Sequence, residues 1–180
     1  MEFEQMLQLC AQYDNEACRE FYMRYRIEIF NSCFRILQNS SESEELMHNV
    51  FLKAFKQLDK FVGDEKHLRA YLKKIGINMS INILRERKKI NFVAFEDEGP
   101  IDPPTEENED SDYSVVFIKQ TINDLPNGYR LILTLRLLEE LDFEDIAKQL
   151  KIKPSTVRSQ YVRALAKLRL ILNQNQKPTL

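Results

Sequence analysis

The feature that most limits what this chain can fold into lies between residues 96 and 112. It reads EDEGPIDPPTEENEDSD. Residues 91–114 carry nine acidic side chains and no basic one. Like charges repel, and Gly99, Pro100, Pro103 and Pro104 oppose a continuous helix, so this stretch is expected to stay an extended, mobile tether outside any core. Cutting a 180-residue chain there leaves two pieces, each the size of a small domain. The expected organisation is a domain over residues 1–90, a linker over 91–112, a second domain over 113–175 and a tail over 176–180. The cut also separates charge: residues 1–90 have a net of +2, the tether −9 and residues 115–180 +5. The overall net of −2 therefore does not argue against a nucleic-acid partner, because local clusters decide that question.

Composition narrows the class. Hydrophobic residues make up 43%, enough for real cores, and only four glycines and six prolines are present, which favours long helices. No apolar run approaches the length needed to span a bilayer. The opening MEFEQMLQLCAQYDNE has no basic-then-apolar targeting pattern. Cys10, Cys18 and Cys33 are odd in number and lack CxxC spacing, so they read as core thiols in a reducing cytosol. A cytoplasmic location is expected, and a metal site or other cofactor is not.

Outside the tether the apolar residues recur every three or four positions, and no strand alternation appears. The expected fold is all-α. Phe21, Tyr22, Tyr25, Ile29, Phe30, Cys33 and Leu37 mark a helix over residues 14–37. Ser41 and Glu44 form an S-x-x-E capping box for the next helix, with Leu46, Val50, Phe51, Ala54 and Leu58 inward. A break at residues 61–64 precedes a long helix over 66–89, with Leu68, Leu72, Ile75, Met79 and Ile83 inward. Four shorter helices follow the tether, over about 113–123, 127–140, 142–150 and 154–172.

The last two form the most informative constellation. Phe143 to Leu150, a turn at 151–153 and a helix from Pro154 have the length and apolar pattern of a helix-turn-helix, with Ala147 small where the helices cross. Asp142 is a good N-cap for the first of the pair, and Pro154 suits the first turn of the second. From Lys148 to Arg169 there are seven basic residues and no acidic one. A helix exposing Arg158, Ser159, Val162 and Arg163 can enter a major groove and contact base edges or phosphates. The ordinary alternative is a helical hairpin with a solvated basic face. The turn usually carries glycine in a left-handed conformation, and Lys151 occupies that place at a cost of about 1 kcal/mol.

The second cluster is the long helix. Arg69, Lys73, Lys74, Arg85, Arg87, Lys88 and Lys89 face a single acid, Glu86, and Phe61, His67 and Tyr71 lie near its start. Basic residues beside rings and amides suit single-stranded bases. Taken alone, such a run is better explained as the solvated charged face of a core helix.

Order and spacing decide between these readings. SESEELMHNVFLKAFKQLDKF, LRAYLKKIGINMSINILRERKK, LPNGYRLILTLRLLEELDFEDIAKQL and STVRSQYVRALAKLR follow one another as in bacterial RNA polymerase sigma factors. The chain resembles the extracytoplasmic-function group of the sigma-70 family over about residues 14–172. That resemblance implies a region 2-like bundle and a region 4-like helix-turn-helix. It implies two partners, core RNA polymerase and promoter DNA, with an anti-sigma factor as a further partner common in the family. Glu45, His48 and Asn49 match the surface that docks the clamp coiled coil of the largest polymerase subunit. Val62, Gly63, Asp64, His67 and Asn78 match the part that captures an unpaired base of the −10 element. Arg85 and Lys88 match positions near the −10 duplex backbone, and Arg158, Ser159, Val162 and Arg163 the helix that reads the −35 element.

The sequence departs from the family pattern at His48 (usually Gln), Tyr71 (usually Trp), Asn82 (usually Asp) and Gln160 (usually Arg). An enzyme is not expected: no HExxH, phosphate-binding glycine loop or nucleophile elbow is present, and His48 and His67 lack metal-ligand spacing. Two rivals remain open from the residues. One is a stand-alone helix-turn-helix regulator, and the other is a protein-interaction module with basic faces.

Overall fold

The computed structural model describes residues 1–87 and 114–175. The expected tether, the C-terminal tail and Lys88 lie outside the described residues. Two compact units divide the chain, Met1–Leu84 and Arg85–Leu180. All regular elements among the described residues are helical.

The first unit opens with α1 (Phe3–Ala11), which the sequence reading did not anticipate. Met6 and Cys10, one turn apart, are fully buried and fasten α1 to α2 (Asn15–Leu37). Asp14 caps α2, its carboxylate accepting the Ala17 amide at 2.9 Å. Phe21, Tyr25, Ile29 and Cys33 form the buried stripe of α2, at the spacing that puts every fourth residue on one face. Phe21 lies at the centre of an aromatic cluster, with ring centroids 5.1 Å from Tyr25, 5.3 Å from Phe55 and 6.0 Å from Phe51. Each such ring removed from water contributes about 1.5–3 kcal/mol.

Helix α3 (Ser40–Phe55) begins before the expected capping box. Asn39, not Ser41, is the N-cap: its side chain accepts the Glu42 amide at 3.1 Å, and Ser43 donates to its carbonyl at 2.6 Å. Asparagine caps at least as well as serine, so the helix takes in Ser40 and Ser41.

A 3-10 turn, Leu58–Lys60, leads through an irregular loop to α4 (Glu65–Glu86). Leu68, Leu72 and Ile75 face inward as expected, but Met79 and Ile83 are only half-buried. The buried stripe continues instead through Gly76, Ile77, Ser80, Ile81 and Leu84. The reason is local. A Cβ on Gly76 would stand 3.2 Å from Cys33 Sγ and 3.6 Å from Val50 Cγ2. The bare α-carbon lets α4 press onto α2 and α3 there, so the inward face of its lower half runs through Gly76 and continues along Ile77, Ser80, Ile81 and Leu84. Ser80 remains satisfied there by donating to the Gly76 carbonyl at 2.8 Å. At the other end Arg69 ties α4 to α2, with one terminal nitrogen 2.6 Å from Glu28 and the other 2.8 Å from Glu65. Its guanidinium lies 5.1 Å from the centre of the Tyr25 ring, and the Tyr25 hydroxyl donates to Glu65 at 3.2 Å.

The second unit contains α5 (Val115–Asn123), α6 (Asn127–Leu133), α7 (Phe143–Leu150) and α8 (Pro154–Asn175). Ser114 caps α5 by accepting the Phe117 amide. The helix expected over residues 127–140 is α6 followed by one wider π-helical turn, Thr134–Leu138. Ile122, Leu125, Leu133, Ala164, Leu168 and Leu172 form the core, so α8 is the element around which this unit packs. Tyr161 and Leu165 pack on the edge of that core half-buried.

Candidate nucleic-acid interface

The site in the first unit is built from a short turn and the first turns of α4. Leu58 is buried and anchors the 3-10 turn against α1. The chain then rises through Phe61 to Val62, which is 92% exposed. Gly63 follows with φ +148°, a conformation that side chains rarely adopt. A Cβ there would meet His67 Cβ at 2.8 Å and the Phe61 ring at 3.3 Å. Asp64 then starts α4 by accepting the His67 amide at 2.9 Å, and its same oxygen meets His67 Nδ1 at 2.7 Å. The His67 amide, followed by its ring, holds the Asp64 carboxyl below its ordinary pKa.

These residues border a cleft of about 270 Å3 lined by Gln57, Lys60, Phe61, Val62 and Tyr71. The Phe61 and Tyr71 rings stand 5.9 Å apart at 42° and form an aromatic wall. The Tyr71 hydroxyl donates to Gln57 Oε1, and burial raises its pKa. A cation (Lys60), an amide (Gln57) and two rings around an open cleft can stack and hydrogen-bond a planar heterocycle beside a phosphate. The structure brings Val62, Gly63 and Asp64 of the loop together with His67 of the first turn of α4. Asn78 is not among the walls of the cleft: it lies half-buried on α4, two turns beyond Tyr71. Arg85 is half-buried in the last turn of α4, and Lys88 lies outside the described residues. Sequence reasoning missed Gln57 and Lys60, which line the cleft from the two ends of the 3-10 turn.

Glu45, His48 and Asn49 share the exposed face of α3. The His48 ring stacks on Tyr22 at 5.7 Å and 7°. Leu52 continues the same stripe and is 59% exposed, an apolar member that the sequence reading left out.

In the second unit α7 and α8 close a helix-turn-helix on Ile146, Ala147, Leu150 and Val157, all buried. Asp142 caps α7 through the Asp145 amide at 2.6 Å. The turn is a six-residue closure, with the Ile152 amide donating to the Ala147 carbonyl and the Lys151 amide to Lys148. Lys151 takes the left-handed conformation at φ 56° and ψ 41°. On α8, Arg158, Ser159 and Val162 are exposed and Arg163 is half-buried. Ser159 donates to the Ser155 carbonyl at 3.0 Å, which leaves its lone pairs to accept. Gln160 is 4% exposed, so the position that usually carries arginine belongs to the core here.

Comparison with known proteins adds two matches to this geometry. Residues 21–90 match the family described as sigma-70 region 2, and residues 118–168 match sigma-70, region 4. Together these stretches hold the cleft, the exposed face of α3 and the helix-turn-helix. This chain is a sigma factor of the extracytoplasmic-function group. It is 27% identical to the ECF RNA polymerase sigma factor SigW of Bacillus subtilis, over 87% of this chain and 89% of that one. It is 29% identical to the RNA polymerase sigma-H factor of Pseudomonas aeruginosa, over 89% of each. Among solved structures, the sigma factor RpoE of Bartonella quintana in complex with the anti-sigma factor NepR has the same fold. Its TM-score is 0.54 at 19% identity, covering 86% of this chain and 96% of that one. The sigma factor is thus a promoter-recognising initiation factor that works with RNA polymerase, and it is not an enzyme. A stand-alone helix-turn-helix regulator would account for residues 118–168 and leave the region 2 match over 21–90 without a role. No helix among the described residues is long and apolar enough to cross a membrane.

Proposed function

We propose that the three surfaces divide the work of promoter opening. Glu45, His48 and Asn49, with Leu52 between the polar contacts, dock on the clamp coiled coil of the largest subunit of core RNA polymerase. The cleft walled by Phe61 and Tyr71 holds an unpaired base of the −10 element. Val62 is the exposed lip of that cleft, Gly63 and Asp64 hold the loop in shape, and His67 completes the turn. Asn78, two turns beyond Tyr71, adds to the hold on the unpaired −10 strand, and Arg85 and Lys88 act on the backbone of the −10 duplex. Arg158, Ser159, Val162 and Arg163 read the −35 element in the major groove. The protein acts in the cytoplasm, where the polymerase and the chromosome are. An anti-sigma factor is a further partner in this reading; among the neighbours, RpoE is solved in complex with the anti-sigma factor NepR and CnrH in complex with the cytosolic domain of CnrY.

The observation that carries the reading is the open aromatic cleft at residues 57–71. Unstacking a base costs a few kcal/mol, and a surface that helps melting must offer the displaced base comparable contacts. Two rings, an amide and a cation supply them, since stacking on one ring is worth about 1–3 kcal/mol. Reading the −35 element fixes where on the duplex this exchange takes place.

The test is initiation by bacterial core polymerase on pooled genomic fragments, with and without the protein. Discrete start sites that require the protein, and that vanish when Phe61 and Tyr71 are both replaced by Ala, are the expected result. The absence of protein-dependent starts, together with specific duplex binding by the protein alone, would overturn it.

A further inference from the structure

Arg158 is not a free cation on the reading helix. Its Nη2 donates to Glu144 Oε1 of α7 at 2.6 Å. The same guanidinium lies 5.9 Å from the centre of the Phe143 ring. Phe143 in turn has Arg136 5.0 Å from its centre and Tyr161 edge-on at 5.3 Å. Arg136 is itself fastened, donating to the Leu141 carbonyl at 3.0 Å. The first turn of one helix therefore holds the arginine of the next from one edge and one face. An exposed ion pair of this kind adds little to stability, so its value has to be sought elsewhere.

We infer that Glu144 is a positioning residue for promoter selection, orienting Arg158 for one guanine and keeping it off the phosphates. This rests on the reading of Arg158 as a base contact given above. The argument is one of degrees of freedom. A guanidinium offers five N–H donors in a planar fork and reads guanine O6 and N7 with two of them. A long free arginine can reach a phosphate on any sequence, which gains affinity without discrimination. With Nη2 held by Glu144 and the plane set against Phe143, the remaining edge of the fork presents in a narrower range of directions. The carboxylate adds a second bias. If Arg158 swings away to a phosphate, Glu144 is left as an unpaired negative charge beside the duplex, which disfavours the non-cognate arrangement.

The experiment uses holoenzyme reconstituted from core polymerase and the full chain carrying no change, E144Q, E144A, R158A or E144Q with R158A. Each initiates from a promoter library randomised over the upstream element, at two salt concentrations. The expected result is that E144Q and E144A lower the preference at one guanine by roughly tenfold, the scale of one good base contact, while total initiation is kept. The double variant should be no less selective than R158A alone, and the salt dependence of initiation should steepen when Glu144 is removed. A role limited to the start of α7 would lower the thermal stability of the factor and leave base preference where it was. If R158A erases the preference but both Glu144 variants retain it, the positioning role falls and the reading of Arg158 stands. If R158A itself changes no preference, both fall.

Discussion

Lys151 holds the least comfortable backbone in the helix-turn-helix. Its left-handed φ and ψ cost a side-chain-bearing residue about 1 kcal/mol relative to glycine, while the two amide closures around it require that conformation. Replacing Lys151 by Gly is expected to raise the stability of the second unit by about 0.5–1 kcal/mol, part of the gain being offset by the looser unfolded chain. Urea unfolding followed by a probe in that unit would measure it. A loss of stability would mean that the Lys151 side chain makes a contribution its exposure does not suggest. The same residue shows how much a single position can disclose. A non-glycine in the turn was legible from the spacing of the two helices, because the motif dictates where the chain must turn left. Gln160 was not legible in that way. Nothing in its neighbours says that the place of a basic residue has been given over to the core.

At the scale of elements, the loop from Phe61 to Asp64 is where substitution and function separate most cleanly. A Cβ on Gly63 would crowd His67 and Phe61, and its φ is one that other residues rarely adopt, yet the loop is exposed and carries little of the core. Replacing Gly63 by Ala should therefore distort the cleft far more than it lowers the melting temperature. The expected outcome is a fall in open-complex formation of about tenfold, the worth of roughly one stacking contact, with polymerase binding unchanged. Permanganate reactivity of the opened strand would report the first, and co-purification with core polymerase the second. Caps and helix pairs were readable because they depend on residues three or four apart. The Asp142 cap and the α7–α8 pair follow from spacing alone. The Ser41 capping box was displaced because Asn39 offered a competing cap two residues earlier. The lower half of α4 was misread because its buried face depends on Gly76 meeting Cys33 and Val50, contacts more than 25 residues away. Helix α1 escaped notice because nine residues hold only two turns of pattern. The walls of the cleft assemble from a 3-10 turn and a helix, and no local period relates them.

For the whole molecule, each unit has its own core, and the two respond to different chemistry. In the first, burial pushes the Cys10 thiol up to about 12 and the Tyr25 hydroxyl to about 12, the latter aided by the Glu65 carboxylate. Both groups hold their protons more tightly folded than unfolded. The stability they contribute is complete below pH 9 and is lost as pH rises from there to about 12. Alkaline titration should thus loosen the first unit. Cys10→Ala and Tyr25→Phe should each flatten part of that slope, and Lys151→Gly should leave it unchanged. Unit-specific fluorescence across pH 8–12 would show whether the two profiles separate. A further consequence lies in α8. Val157, Gln160 and Ala164 root it in the core, while Arg158, Ser159 and Val162 stand between them on the open side. If Arg158, Ser159 and Val162 read the −35 element as proposed, the residues that specify the address and those that hold the fold alternate on one helix, with half-buried Arg163 at their border. Exposed substitutions away from structural features usually shift stability by no more than about 0.5 kcal/mol. Lineages carrying such a factor can therefore rewrite which genes it switches on while the scaffold stays intact, so regulatory drift in this protein meets little resistance from folding.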